Sequence, residues 1–513
     1  MLRILKRSSG CAASSFRFYS AQSAASTAVD PEWANALPFE KIPGPPKAAL
    51  MAGMIYGGLF TQEGTLVDQL QTIRKTYGDL VRVPGVFGRP TRLLSFSPDD
   101  CERVFRTEGQ WPMRASLETF TYYRKELRKD VFKDMGLVTE HGEDWHKFRT
   151  IVNPVLMQPK TVNLYVDKLD EVAREFIGIM GSLRDEKSEL PGNFNQWINR
   201  LAMEMMGVLA LDTRLGVLSA DKAGEAEKLV GLVRDLFQLS FELDVQPSIW
   251  KYVKTPTFHR LMAVFDEITQ IISAKIDESI IRYEKNPSVH SDTMSVLEKL
   301  LKIDRQVAFV MVFDMMQAGI DTTSAATTGI LFSLATNLDK QNKLREELRT
   351  IMPTKDSPLT TENMRNLPYL RACIKESLRL VPAIVGNARN TGQDLVLQGY
   401  QVHKGTELMI SSVVLNQDDR HFERAKEYIP ERWLRGNESP NVKDVHPFQF
   451  LPFGFGPRAC VGRRLAMMEM EIFIARVTRQ FEYRWNHGPL RIRNSIVNTV
   501  ENELRFEMKD VED

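Results

Sequence analysis

The sequence predicts a mainly α-helical protein that carries a few small β-sheets. Apolar residues recur at helical spacing in one segment after another between positions 143 and 380, and again over 463–480. Short β-rich runs are confined to 80–96 and to stretches beyond 394. The composition, 43% hydrophobic and 26% charged, is that of a globular chain with a large core. By length alone, 513 residues would allow two or three domains.

Charge and cysteine content narrow the classes of function. The 67 basic and 66 acidic side chains leave a net charge of +1, which argues against nucleic acid as the main partner. Cys11, Cys101, Cys373 and Cys460 lie far apart and form no C-x-x-C pair, so neither a disulfide framework nor a cysteine zinc site is expected. Residues 1–29 contain no acid. Arg3, Lys6, Arg7 and Arg17 are set among serines and apolar Met1, Leu2, Ile4 and Leu5, the composition of a mitochondrial transit peptide. Arg17-Phe18-Tyr19-Ser20 suggests cleavage near 19/20. No apolar run reaches the ~18 residues of a membrane-spanning helix.

In chain order, 30–47 reads as a linker ending in the proline-rich hinge Pro43-Gly44-Pro45-Pro46. The apolar run 48–60 is too short to span a membrane and is suited to packing or to a membrane surface. A helix over 65–77, a hairpin from 80–83 and 91–96, and a helix over 99–106 follow. The polar, aromatic stretch 114–134 has weak periodicity and reads as a long functional loop. Helices are then expected over 143–153, 162–182, 194–209, 222–241 and 257–283, with a break at 286–287. The first of these holds Trp145 and Arg149 at i, i+4, on one face.

The segment 304–338 reads as a long central helix, apolar on most sides and therefore buried. Gly319 in its middle costs about 1 kcal/mol relative to Ala. Beside it, Asp321-Thr322-Thr323 puts a carboxylate and hydroxyls into an apolar element, either as a solvent-facing patch or as a group in use. Helices 340–351 and 366–380 follow, the second with Glu376 and Arg379 spaced for an ion pair. Beyond them, 394–402 and 407–414 are short strand candidates with Gly399 and Gly405 as turn residues, Pro430-Glu431-Arg432-Trp433 is a turn, and 483–507 reads as short strands.

The most informative stretch is Phe453-Gly454-Phe455-Gly456-Pro457-Arg458-Ala459-Cys460-Val461-Gly462, directly before the helix 463–480. Its glycines and proline bend the backbone, and the cysteine falls near a helix N-terminus, where a thiolate is favoured. From these features alone Cys460 is an inert core cysteine, a nucleophile or a metal ligand.

The pattern Phe-x-x-Gly-x-Arg-x-Cys-x-Gly resembles the haem-thiolate loop of the cytochrome P450 superfamily. Ala318-Gly319-Ile320-Asp321-Thr322-Thr323 is similar to the oxygen-groove motif of that family's central helix. Glu376-x-x-Arg379 with Arg432 resembles its buried triad, and Trp145-x-x-x-Arg149 its haem-propionate contact. The resemblance implies a cytochrome P450 fold, one catalytic domain over 48–513, and haem b (iron protoporphyrin IX) held between the central helix and the cysteine loop. It implies Cys460 as the axial iron ligand, shielded by Phe453 and Gly462, and Trp145, Arg149, Arg389 and Arg458 as propionate partners. Gly319 would make room for dioxygen, Thr322 would bond it, and Asp321 would relay protons.

Within that family the leader and Arg463-Arg464 resemble mitochondrial members, and Trp111-Pro112-Met113-Arg114 an arthropod type. The resemblance then implies electrons from a mitochondrial ferredoxin with its NADPH-dependent reductase, docked on Arg371 and Lys375, and peripheral contact with the matrix side of the inner mitochondrial membrane. The expected reaction is insertion of one oxygen atom of O2 into a small lipophilic substrate, a steroid or a xenobiotic. A haem-thiolate isomerase or dehydratase, and a haem sensor or carrier without turnover, are the alternatives; the Asp321-Thr322 pair weighs against both. A cysteine hydrolase would need a histidine base, and the nearest preceding one, His446, is fourteen positions away.

Overall fold

The computed structural model describes residues 30–512 except 57–65, 87–88, 115–116, 286–292, 437–439, 441 and 444. The leader expected over 1–29, its cleavage position, the break at 286–287 and the end of the 48–60 run lie outside the described residues.

The central helix is Arg305–Ala335, whose 31 residues span roughly 46 Å. The Asp304 carboxylate caps it, accepting from the N–H groups of Gln306 (2.7 Å) and Val307 (2.9 Å). It is apolar around its whole circumference, so other elements pack on every side. Phe194–Leu211, Pro368–Leu380 and the terminal helix Arg463–Gln480 are among them. Gly142–Leu156, Val166–Leu183, Ala223–Ser240, Pro256–Lys285 and Leu338–Ile351 match the expected helices within a few residues. Val296–Ile303 is an addition, started by a Ser295/Glu298 capping box.

The strands are short: β1 Leu80–Val83, β2 Arg92–Ser95, β3 Asn387–Asn390, β4 Leu395–Leu397, β5 Tyr400–Val402, β6 Glu407–Ile410, β7 Phe481–Arg484, β8 Ile492–Arg493, β9 Thr499–Val500 and β10 Glu507–Asp510. One sheet has the order β1-β2-β6-β3, and the pairs β4–β5, β7–β10 and β8–β9 stand alone. The β4–β5 turn runs through Gln398 and Gly399, both at positive φ, as a tight hairpin requires. Strand β3 was not expected. Asn-Ala-Arg-Asn lacks β-branched residues, and the strand is held by its backbone ladder to β6.

Two expectations need correction. The stretch 30–47 is folded onto the body: Asp30 is buried, accepts from the Val396 N–H (2.9 Å) and pairs with Arg103 (2.5 Å). Leu37 exchanges backbone bonds with Gly399 and Gln401, and Pro43 accepts from Arg82. The stretch 114–134 is partly helical, with an α-turn at Glu118–Tyr122 running into a π-turn at Tyr123–Leu127. The wider π-turn breaks the 3.6-residue spacing that periodicity detects. Phe120 and Tyr123 are buried there against Phe265.

Candidate active site

The cysteine loop takes its shape from its backbone. Gly454 and Gly456 both have φ +71°, and a Cβ on Gly456 would lie 2.7 Å from Glu108 Oε1. The Cys460 N–H donates to the Phe453 carbonyl (2.8 Å), and Ala459 N–H to that of Gly456 (3.0 Å). Gly462 is the N-cap of the terminal helix, so Cys460 precedes a helix start. Cys460 keeps exposed surface, but the protein packed around it partly desolvates the thiol and pushes its pKa up; the N–H groups of Gly462 and Arg463 and the charges of Arg149 and Arg463 oppose this. These are the groups that favour the thiolate form.

Beside the loop lies a cluster of cations. Trp145 and Arg149 project from Gly142–Leu156, and Arg149 donates to the Ala459 carbonyl (2.7 Å). The Arg458 guanidinium stacks on Trp145 at 4.0 Å and donates to the carbonyls of Pro112 (3.0 Å) and Glu140 (2.8 Å). Burial, then Arg114 and Arg389, push Arg458 down to about 8. Burial and Arg389 lower Arg114 to about 10. The Nε atoms of Arg114 and Arg149 and the Trp145 indole N–H are buried without a hydrogen-bond partner among the described residues. Crowded cations with unused donors call for anions. Two propionates meet that need, and the residues present fit a haem held by the Cys460 loop.

Arg389 differs from its expected role. Strand β3 directs it to Glu108, at 2.6 Å, and its other nitrogens donate to the carbonyls of Ala388 and Phe455. Its charge is therefore already balanced, and it secures the cysteine loop through Phe455. Arg114 and His141 join this cluster without belonging to any of the sequence motifs of the site. His141 Nδ1 lies 3.4 Å from Arg458, and burial followed by Arg458 and Arg114 lowers it to about 4, so it is neutral.

The distal cluster lies on the central helix. Ala318, Gly319, Thr322 and Ala325 keep accessible surface in an otherwise buried stretch, and the spacing of Ala318, Thr322 and Ala325 puts those three on one face. Thr322 Oγ1 donates to the Ala318 carbonyl (2.8 Å). Gly319 is itself partly accessible, and its missing side chain has a second effect: a Cβ would lie 2.2 Å from Met206 Cε, so glycine also permits close packing against Phe194–Leu211. Burial raises Asp321 to about 7, only partly opposed by Arg234. Asp321 also lines a polar pocket of about 60 Å3 with Arg234, Asp235, Gln238, Arg493 and Ser495.

The triad is assembled in full. Glu376 is fully buried and accepts from Arg379 (2.8 and 2.9 Å), Arg432 (2.9 Å), the Ile429 N–H (3.0 Å) and the Trp433 indole (2.9 Å). Trp433 thus adds a fourth side chain to the triad through its N–H. On the outer face of the same helix, Arg371 and Lys375 separate. Arg371 pairs with Glu471 (3.0 Å) and donates to the carbonyls of Arg365 and Met364, so its charge is largely spent. Lys375 is exposed over the Trp433 ring at 5.7 Å. Burial of its stem, Arg463 and Arg371 lower its pKa.

The family model for cytochrome P450 matches residues 43–504. Cytochrome P450 CYP12A2 of Musca domestica is 43% identical to this chain, over 95% of it and 94% of the relative. The probable mitochondrial cytochrome P450 12a5 of Drosophila melanogaster is 40% identical, over 94% and 93%. The mitochondrial cytochrome P450 12b1 of Drosophila acanthoptera is 41% identical, over 92% and 90%.

Proposed function

Because the chain belongs to the cytochrome P450 family of haem monooxygenases, we propose that it is a mitochondrial enzyme inserting one oxygen atom of O2 into a lipophilic small molecule. Cys460 would hold haem b, and Arg114, Arg149, Arg458 and Trp145 would supply donors for its propionates. The haem supplies dioxygen activation. The chain supplies the rest. Thr322 presents a hydroxyl on the distal face, and Asp321, half protonated near neutral pH, passes protons from the polar pocket. Phe132, Phe309 and Phe313 pack against one another in an aromatic cluster at the central helix, which makes that side of the site apolar.

Electrons come from a mitochondrial ferredoxin with its NADPH-dependent reductase. The acidic partner docks on exposed Lys375, Arg463 and Arg464, with Arg371 contributing little. The names of two relatives support a mitochondrial site, as does the composition of the 1–29 leader, and we place the enzyme on the matrix side of the inner membrane. No helix among the described residues is long and apolar enough to cross a membrane. Peripheral contact instead uses Ile249, Tyr252 and Val253, exposed at 42%, 72% and 57% beside Lys251.

The observation that carries this reading is the set of partnerless buried donors on Trp145, Arg114 and Arg149 beside the cysteine loop. The reduced protein with carbon monoxide should give the far-red-shifted band of thiolate-ligated haem. A wild-type protein without that band would overturn the reading. Turnover should be supported by a mitochondrial ferredoxin pair, and equal support from a microsomal flavoprotein reductase would remove the assigned partner.

A further inference from the structure

One turn before Ala318, the central helix carries a buried ion pair that the reaction chemistry leaves unused. The side chains of Asp314 and Arg124 are 3% and 1% exposed, with N and O 2.7 Å apart. The second Asp314 oxygen accepts from the Leu137 N–H (2.8 Å). Arg124 donates to the Met135 carbonyl (2.7 Å), and its guanidinium lies 4.8 Å from the Phe132 ring and 5.4 Å from Phe313. Gly136, at φ +75°, allows this closeness; a Cβ there would sit 2.5 Å from Asp314 Oδ2 and 2.9 Å from Arg124 Nη1. The pair therefore fastens the 124–137 segment to the central helix in one arrangement.

Arg124 also donates to Gln317 Oε1, at 3.2 Å. A guanidinium can only donate, so the carboxamide oxygen must face it and the nitrogen must face elsewhere. Gln317 is buried, and its Nε2 has no hydrogen-bond partner among the described residues. A buried donor without an acceptor is destabilising until one arrives. Gln317 adjoins Ala318, the residue that opens the distal face with Thr322.

We propose that Gln317 selects substrates carrying an uncharged hydrogen-bond acceptor, a ketone, ester or ether oxygen, and that Arg124 and Asp314 are the positioning pair that aims it. This rests on the reading of the chain as an oxidase of lipophilic small molecules. Asp314 is charge-balanced by Arg124 at 2.7 Å, so, although its Oδ1 has no aligned hydrogen bond among the described residues, it offers little net attraction to a basic amine. Arg124 is matched by Asp314, so it offers little to an acid. The neutral N–H2 of Gln317 is the remaining donor.

The test uses the purified holoenzyme and substrate-induced shifts of the haem band. The probes are three ketones with their parent hydrocarbons: camphor and bornane, 2-adamantanone and adamantane, progesterone and pregnane. The wild type should bind each ketone roughly 2- to 12-fold tighter, the factor expected of one neutral hydrogen bond. Gln317→Leu should bring the ratio to about one while hydrocarbon affinity stays. Should that variant lose the thiolate-type carbon monoxide band, Gln317→Met replaces it. Arg124→Met/Asp314→Leu, which removes both charges together, should raise KM for ketones, leave KM for hydrocarbons unchanged and keep the band. Equal binding of ketone and hydrocarbon by the wild type, or an unchanged ratio in Gln317→Leu, would overturn the proposal. Binding of none of the six would overturn the lipophilic-substrate reading and the proposal with it.

Discussion

The cysteine loop and the distal turn of the central helix face the same chemistry but are built on different principles. The loop is contiguous in sequence, and its contacts run largely to main-chain groups: Cys460 N–H to Phe453, Arg458 to Pro112 and Glu140, Arg389 to Phe455. The distal turn is regular helix, and its character comes from side chains brought by distant segments, Met206, Arg234 and Arg124. A site fixed by backbone tolerates little change. A site fixed by side chains can be retuned one contact at a time.

The largest expected effect breaks the loop side outright: Cys460→Ala should abolish the thiolate-type carbon monoxide band, read in the absorption spectrum of the reduced protein. Next comes the triad behind the loop. Glu376→Ala leaves Arg379 and Arg432 buried without a counter-ion and should destabilise by about 3–5 kcal/mol in denaturant titration. On the distal side, Asp321→Asn should lower kcat roughly 100-fold, the scale of a lost proton-transfer group.

The same variant carries a pH signature. The Asp321 pKa rises from an ordinary 3.8 to about 7 in the folded protein. Between those values the unfolded chain has released the proton that the native state retains. The Asp321 contribution to stability is therefore fully present below pH ~4 and lost as pH rises through ~7. Thermal midpoints of Asp321→Asn should lack this decline, so its advantage over wild type widens across that window. A constant gap would show that Asp321 keeps an ordinary pKa.

Two glycines sharpen the contrast. Gly456→Ala meets both a left-handed backbone and the Glu108 carboxylate, whereas Gly319→Ala meets only the end of the flexible Met206 side chain. Gly456→Ala should cost about 1–3 kcal/mol, and Gly319→Ala less, because the flexible Met206 side chain can move aside and nothing comparable exists for the first. The smallest effect is at the surface. Lys375→Ala should raise the ferredoxin concentration needed for half-maximal turnover several-fold, in a salt-dependent way, and Arg371→Ala less, because Glu471 already holds its charge.

Legibility in the sequence follows the same division. The Cys460 loop, the Trp145–Arg149 pair and Glu376-x-x-Arg379 were readable because their parts are close along the chain. Gly319 was recognisable as anomalous, but the direction of its missing side chain depends on a neighbour more than a hundred residues away. Arg124 and Gln317 are 193 positions apart, and nothing in either segment announces the other. Arg389 and Arg371 were found as charges, but their counter-ions Glu108 and Glu471 arrive through tertiary packing. Strand β3 was invisible because its pairing partner supplies its reason to exist. Trp433 was placed correctly in its turn, while its bond to Glu376 required the fold.

Asp30 has a consequence for maturation. Its buried carboxylate ties the start of the described chain to Val396 and Arg103. A protease removing residues up to 29 leaves that tie in place, and one advancing a single residue further cuts it. The fold thus sets an inner limit to N-terminal trimming.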